Sequence, residues 1–192
     1  MNTVVIEGQL REGLGRKASR DLRSQGNVLG VIYGGKEEVH FSAPLLAFRS
    51  LVYTPAFQIA EIKIGDKSYK TIVKDLQFDG ITDKLNHIDL LELVEDKKVI
   101  ANLPLIFEGQ PAGVKAGGRL QTRLKKVKVR TFPKFLTEGI KVDLTSLELN
   151  GNMRVQDLKV ENMEVMVAPR QPIASVVMTR ALRQAETAAK GK

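Results

Sequence analysis

The sequence predicts a mainly β protein with two domains, a small N-terminal barrel with two short helices and a second, all-β, sandwich-like domain. Three observations lead to this fold class. Most segments alternate apolar and polar residues with the period of two that marks strands with one buried face. Two segments, both in the first half, show helical spacing instead. A charged run at residues 93–99, LVEDKKV, separates the halves, so we place the domain boundary between residues 95 and 96.

The strands of the first half are short and rich in Val, Ile, Leu, Phe and Tyr, the residues that strands favour. In chain order they are predicted at TVVIEGQL, VLGVIY, QIAEIKI, SYKTIVKDLQF and NHIDLLEL. Residues 64–68, IGDKS, place Gly-Asp between two of these strands, which is a hairpin signal. Short strands joined in this way favour a small barrel.

Two helices interrupt these strands. The first is predicted at GRKASRDLRSQG, with Gly26 at the left-handed position that ends many helices. The second is predicted at SAPLLAFRSLVY, where Ser42 is a suitable cap and Pro44 is tolerated in the first turn. Its apolar stripe consists of Leu45, Phe48, Leu51 and Val52. We expect both helices to plug the barrel.

The second half begins a new alternation at residues 99–109, VIANLPLIFEG. Further strands are predicted at LKKVKVRTF, GIKVDL, MEVMVAP and IASVVM, separated by turns rich in Pro, Gly and Asn. These strands predict an all-β domain over residues 96–180. Residues 181–192 have helical propensity but few large apolar side chains, so we expect a flexible tail there.

Composition excludes several kinds of site. The 192 residues include no cysteine, which excludes disulfides and thiolate zinc sites. No signal-peptide pattern occurs, and no apolar stretch approaches the roughly 20 residues that cross a bilayer. Residues 111–118, PAGVKAGG, lack the Lys-Ser/Thr ending of a nucleotide-binding loop. We therefore expect a soluble, cytoplasmic, monomeric protein with no cofactor, no metal, no membrane contact and no small-molecule substrate.

Charge is distributed unevenly along the chain. Residues 1–95 have 12 basic and 13 acidic side chains, a net charge of −1, whereas residues 96–192 have 18 and 9, a net charge of +9. The total of +8 suits a polyanionic partner.

The first predicted helix carries a row of arginines. Arg16, Arg20 and Arg23 lie within about 60° of one another on an α-helix, on the side opposite Ala18 and Leu22. Guanidinium groups bind phosphate oxygens in pairs, so this row suits a nucleic-acid backbone. A solvated helix face, partly neutralised by neighbouring carboxylates, is the alternative interpretation.

The segment LNHIDLL, residues 85–91, contains one of only two histidines in the chain. In a strand, His87 and Asp89 point to the same face about 7 Å apart, as a hydrolytic base and its orienting carboxylate would. The sequence has no G-x-S-x-G elbow, no cysteine and no H-x-H or H-E-x-x-H metal pattern. Two interpretations stay open: a plain surface pair, and a surface that hydrogen-bonds base edges and ribose.

Two further features also allow two interpretations. Tyr33 ends a predicted strand just before a Gly-Gly pair, where its ring is either buried or presented to a ligand at the sheet rim. In LKKVKVRTF, Lys126, Lys128 and Arg130 share one strand face opposite two valines. That face is either a solvated exterior or a basic binding surface.

Four signatures occur in one order: REGLGRKASRDLRSQG, VLGVIYGG, DLQFDGITDKLNHIDLLEL and LPLIFEGQPAGVKAGGRLQ. Through them the chain resembles, from about residue 3 to residue 180, the bacterial ribosomal protein L-twenty-five family. The resemblance is to the long two-domain form, also called the general stress protein CTC type. It implies a six-stranded N-terminal barrel that binds 5S ribosomal RNA in the central protuberance of the large subunit.

The resemblance also implies which residues contact the loop E region of that RNA. The family uses the arginine that ends the first strand, basic residues of the first helix, the strand-end tyrosine and the His-x-Asp pair. In this chain these residues are Arg11, Arg20, Arg23, Tyr33, His87 and Asp89, with Lys17 and Ser19 as further candidates. We expect Lys126, Lys128 and Arg130 to add a secondary basic surface toward ribosomal RNA or neighbouring proteins.

Two other functions compete with this one. A stress-linked adaptor acting off the ribosome would bind a protein partner through exposed strands and would purify without RNA. A hydrolase that uses His87 and Asp89 would show turnover that His87→Ala abolishes. We expect instead a non-enzymatic constituent of the ribosome, whose partners are 5S rRNA and neighbouring components of the large subunit.

Overall fold

The structure is a computed structural model, and it describes residues 2–35 and 37–180 together with Leu182 and Gln184. The chain divides into two compact units, Met1–Ala101 with Thr131–Glu138, and Asn102–Arg130 with Gly139–Lys192. Strands dominate both units, so the predicted mainly β class is confirmed. The tail predicted at residues 181–192 lies, apart from two positions, outside the described residues. Among the described residues no helix is long and apolar enough to span a membrane.

The first unit contains a closed six-stranded barrel. Its strands are β1 (Thr3–Leu10), β2 (Asn27–Tyr33), β3 (Val39–Pro44), β4 (Ile59–Ile64), β5 (Lys67–Phe78) and β6 (Leu85–Glu92). They close in the order β1-β3-β2-β6-β5-β4, with β1 parallel to β4 and β2 parallel to β6. Because closure pairs every barrel strand on both sides, the barrel has no free edge.

The barrel core is filled by inward-facing apolar side chains. Its largest fully buried members include Ile6, Ile32, Phe41, Phe48, Ile62, Ile88 and Leu90. Phe41 and Phe48 pack against each other with ring centroids 6.4 Å apart. A Cβ at Gly30 of β2 would lie 2.4 Å from the Phe41 ring, so the glycine in VLGVIY provides the space that this ring occupies.

The first helix forms as predicted. Helix α1 (Arg16–Ser24) is followed by Gly26, whose φ of +83° is the left-handed conformation expected after a helix end. The helix packs on the outside of the barrel against β2 and has no buried residue, so the prediction that it plugs the barrel is wrong. Leu29 alternates with inward-facing neighbours and therefore points outward, yet it is only 1% exposed. Since α1 is the element that packs on β2 there, we infer that it covers Leu29.

The second helix differs from the prediction. Ser42 lies within β3, paired with β2, and is buried there, so it does not cap a helix. The chain then forms a 3-10 turn, Leu45–Phe48, and a single helical turn, α2 (Arg49–Val52). Phe48 and Leu51 still enter the barrel core, as the apolar stripe predicts. Strand pairing therefore takes the first residues of the segment, and only its end becomes helical.

The remaining strands form two further sheets. They are β7 (Val99–Glu108), β8 (Arg119–Thr122), β9 (Lys126–Thr131), β10 (Ile140–Asp143), β11 (Asn152–Arg154), β12 (Glu164–Val165) and β13 (Pro172–Val177). Four of them form a sheet in the order β10-β7-β9-β12, and three form a sheet in the order β11-β13-β8. The alternation pattern missed β8 and β11, which have four and three residues, and β3, whose last residues were assigned to the second helix.

The glycine-rich stretch PAGVKAGG forms a single helical turn, α3 (Ala112–Lys115), packed against another backbone segment. Gly113 N donates to Leu147 O at 2.9 Å, and a Cβ at Gly113 would lie 2.6 Å from backbone atoms of Glu148 and Leu149. These glycines therefore permit close approach of two backbones, which accounts for the motif through packing.

The barrel unit also includes Thr131–Glu138, a segment that begins at the last residue of β9. Within this unit the Glu138 carboxylate accepts a hydrogen bond from Asn2 N at 3.1 Å. The ammonium of Lys98 lies 5.5 Å from the centre of the Phe132 ring. The compact unit thus takes in chain from beyond residue 95, and the domain boundary between residues 95 and 96 stays a prediction.

Candidate nucleic-acid interface

Strands β2, β6 and β5 lie side by side and form one wall of the barrel. Their outward side chains fall into transverse rows because paired residues of neighbouring strands point to the same side. The first row consists of Leu29, His87 and Gln77, and the second of Val31, Asp89 and Asp75. We call Tyr33, Asp75, Gln77, His87 and Asp89 the recognition wall. Polar groups that are distant in sequence are thereby gathered on one rigid surface.

His87 and Asp89 face the same way and lie in contact. The imidazole Nδ1 is 2.8 Å from Asp89 Oδ1, an ion-pair distance when the ring is protonated, although the angles are not those of a hydrogen bond. Their side chains are 24% and 29% exposed, so both remain accessible to a ligand. Because Nδ1 is itself buried beside the carboxylate, the ring offers Nε2 to a bound molecule.

Tyr33 is the last residue of β2, beside Leu91 of β6. Burial raises the pKa of its phenol above the usual 10.0, and the negative charges of Asp89 and Asp75 raise it further. The hydroxyl therefore keeps its proton at neutral pH and can donate a hydrogen bond. The sequence predicted a choice between a buried ring and a ligand contact, and the half-buried tyrosine allows both.

The arginine row of α1 lies next to this wall. Arg16, Arg20 and Arg23 are all exposed, as is Lys17. Arg23 Nε donates to the carbonyl of Asn86 at 3.3 Å, which ties the last turn of α1 to β6 one residue before His87. The phosphate-binding candidates and the recognition wall therefore share one side of the barrel.

Arg11 and Ser19 have internal partners. Arg11 Nη2 donates to Gly13 O at 3.1 Å and to Ser19 Oγ at 3.0 Å. The Ser19 hydroxyl in turn donates to Gly15 O at 2.9 Å. These bonds hold the turn before α1 against the end of β1, so both side chains support the position of the helix. Their predicted contact with RNA stays a prediction.

Asp75 and Gln77 belong to the wall but were absent from the sequence prediction. A β-bulge at Lys74, between Val73 and Asp75, interrupts the alternation of β5. The extra residue reverses which side chains face outward, so simple alternation cannot place Asp75 and Gln77. The outward histidine of β3, His40, was missed for a related reason, because β3 was not predicted as a strand.

The predicted secondary basic surface lies on β9 in the second unit. Lys126, Lys128 and Arg130 are exposed and alternate with buried residues, so they share one sheet face. Glu164 of β12 pairs with Arg130 in the strand register.

Of the residues that the structure describes, no three His, Cys, Asp or Glu side chains are grouped as a metal site.

Comparison with protein-family models matches nearly the whole chain in two parts. The model described as the Ribosomal L25p family matches residues 6–90. The model described as Ribosomal protein TL5, C-terminal domain, matches residues 98–180.

Curated relatives match from end to end. A large ribosomal subunit protein bL25 of Amoebophilus asiaticus is 38% identical, covering 100% of this chain and 98% of the relative. The protein of the same name from Cytophaga hutchinsonii is 38% identical and covers 100% of both chains. That of Phocaeicola vulgatus is 35% identical, covering 98% of this chain and 99% of the relative. These matches confirm the resemblance drawn from the four signatures, and the chain belongs to the ribosomal L25p family of large-subunit proteins.

Proposed function

We propose that this protein binds 5S ribosomal RNA through α1 and the recognition wall, as a structural constituent of the central protuberance of the large ribosomal subunit. One observation supports this above others. Three separate stretches of chain place an arginine row beside a wall of imidazole, carboxylate, amide and phenol groups, joined by the bond from Arg23 to Asn86. The relatives are named large ribosomal subunit proteins, which supports the assignment of this chain to the large subunit.

The two parts of this surface suit different parts of RNA. The exposed arginines of α1 match phosphate oxygens, which position a bound nucleic acid without reading its sequence. Asp75 and Asp89 repel phosphates, so the wall suits base edges and 2′-hydroxyls instead. An irregular internal loop of RNA exposes both kinds of group.

We propose no catalytic role for His87 and Asp89. A dyad of this kind needs a nucleophile within hydrogen-bond reach of the imidazole. Ser42 lies in the same transverse row, but Leu29 of β2 separates it from His87. Two strand spacings amount to about 10 Å, which is too far for proton transfer.

The proposal extends to the rest of the chain. Residues 1–95 form the RNA-binding domain, and residues 96–180 form a domain whose basic face adds weaker contacts to ribosomal RNA. That face consists of Lys126, Lys128 and Arg130. The protein acts as a monomer in the cytoplasm, bound to the ribosome.

Filter-binding titration of full-length protein with 5S rRNA tests the main proposal. Arg20→Ala is expected to weaken binding and to reduce the slope of log K against log salt by about one unit, because one phosphate contact is lost. Arg49→Ala is the matched control, since Arg49 is an exposed arginine of α2, whose neighbouring 3-10 turn contacts mainly β1 and β3, which are not strands of the wall. Equal effects of the two variants on affinity and slope would contradict the assignment of α1.

Tyr33→Phe provides a test of the phenol. It is expected to weaken 5S binding about tenfold, because it removes a hydrogen-bond donor and keeps the ring. The raised pKa predicts that the loss is the same from pH 6 to pH 9. The affinities of wild type and Tyr33→Phe should be measured across that range. Equal affinities, or a ratio that changes with pH, would contradict the role of the phenol as a donor.

A further inference from the structure

The loop between β5 and β6, residues 79–84, displays an isoleucine to solvent. Ile81 is 95% exposed, and Phe78 at the base of the loop is also exposed. Ile81 therefore contributes nothing to the core of the barrel. Ile81 and Phe78 thus expose apolar surface at the tip of the loop and at its base, and this surface is available to a binding partner.

The loop that displays Ile81 is held in one conformation. Asp79 Oδ1 accepts hydrogen bonds from Ile81 N at 3.1 Å, from Thr82 N at 2.9 Å and from Thr82 Oγ1 at 2.9 Å. Asp79 N donates to Lys84 O at 2.8 Å and closes the loop. The bonds from Thr82 and Ile81 lower the pKa of Asp79 below its usual 3.8, so they persist at neutral pH. Ile81 is thus presented by a preorganised tip.

The tip continues the recognition wall. Gln77 and His87 face each other on β5 and β6, and the next pair, Phe78 and Leu85, leads directly into the loop. Four residues at about 3.3 Å each place Ile81 at most about 13 Å beyond Gln77. A nucleic acid that lies across α1 and the wall reaches the tip without a second binding site.

We infer that Ile81 is an apolar contact residue for the RNA bound at the wall, entering the edge of its groove against ribose and base; this inference rests on the proposed function. Aliphatic side chains act as wedges in this way between base steps in nucleic-acid grooves. The loop has the carboxylates of Asp79 and Asp83 and only one cation, Lys84, so it does not suit phosphates. Bases and riboses are therefore the surfaces that fit this tip.

The inference is tested by 5S binding of the full-length protein with Ile81→Thr, which keeps the β-branch and removes apolar surface. Affinity is expected to fall about fivefold, with an unchanged salt slope because no charge is altered. Val5→Thr is the matched control. Val5 is 52% exposed on β1, the strand opposite β6 in the closed barrel, and its replacement should leave affinity unchanged.

A second pair of variants tests the preorganised loop. Asp79→Ala removes the acceptor that fixes the tip and should also weaken binding, whereas Asp79→Asn keeps one acceptor oxygen and should weaken it less. Asp79→Ala should add little to Ile81→Thr, since both act through one contact.

The outcomes separate the two proposals. Wild-type protein that fails to bind 5S rRNA overturns the proposed function. Wild-type binding with an Ile81→Thr affinity equal to that of wild type overturns only the contact at the tip. If Ile81→Thr binds 5S rRNA like wild type but is incorporated poorly into large subunits, the tip contacts another component of the subunit, and the proposed contact with 5S rRNA is again overturned.

Discussion

Replacing Gly30 by alanine is expected to lower the free energy of unfolding of the barrel by about 2 kcal/mol. The new Cβ would lie 2.4 Å from the ring of Phe41 and 3.1 Å from a methyl of Ile88. Both partners are fully buried, so neither can move aside without disturbing the core. The gain from restricting the unfolded chain, about 0.4 to 1 kcal/mol, offsets only part of this loss.

Urea unfolding followed by circular dichroism measures the effect. Gly80→Ala is the control, because a Cβ at Gly80 meets no atom within 4 Å, and its stability should match wild type. Phe41→Leu removes the ring edge that Gly30→Ala strikes, so the double variant should lose less than the sum of the two single variants. Additive losses would contradict steric conflict as the cause.

The same contact shows how far the sequence predicts the core. Alternation predicts that β2 has an inward face, and that prediction is correct. The need for glycine at position 30 is not visible, because Phe41 lies on β3, which the pattern did not identify. In a closed barrel the side chain opposite a glycine belongs to the neighbouring strand. The periodicity of one strand does not show which strand pairs with it or in which register.

The candidate site also contains residues that the sequence predicts and residues that it does not. His87 and Asp89 are two residues apart on one regular strand, so alternation alone places them together, and the structure brings them within 2.8 Å. Asp75 and Gln77 depend on the bulge at Lys74 and on pairing with β6. Neither feature has a local sequence signal, since a bulge is decided by the partner strand.

Arg11 and Ser19, on either side of the turn before α1, show that resemblance alone does not separate a structural role from a binding role. Sequence resemblance implies RNA contacts for Arg11 and Ser19 alike, but the structure shows Arg11 Nη2 and Ser19 Oγ bonded to each other and to nearby carbonyls. A residue can be required by a family for the position of a helix as well as for contact with a ligand. Only the three-dimensional bonding pattern separates these two requirements.

Removing the Asp89 carboxylate by Asp89→Ala is expected to weaken 5S rRNA binding by about 1 to 3 kcal/mol, roughly tenfold to a hundredfold. Electrostatics alone predicts stronger binding instead, because the loss of a negative charge should strengthen attraction to RNA. A weaker complex therefore identifies a specific hydrogen bond to a base or ribose. Asp66→Ala, in the exposed turn between β4 and β5, is the matched control and should leave binding unchanged or slightly stronger.

His87→Ala should cost a similar amount, and the double variant should cost less than the sum, because the two side chains lie 2.8 Å apart and position each other. Both residues point outward and are partly exposed, so unfolding curves should stay close to wild type. The decisive comparison is specific against non-specific binding, measured with 5S rRNA and with a duplex RNA of unrelated sequence. Asp89→Ala should lose affinity for the first and gain slightly for the second. An equal gain in affinity for both RNAs would contradict a specific hydrogen bond from Asp89. The wall would then act on RNA only through its charge.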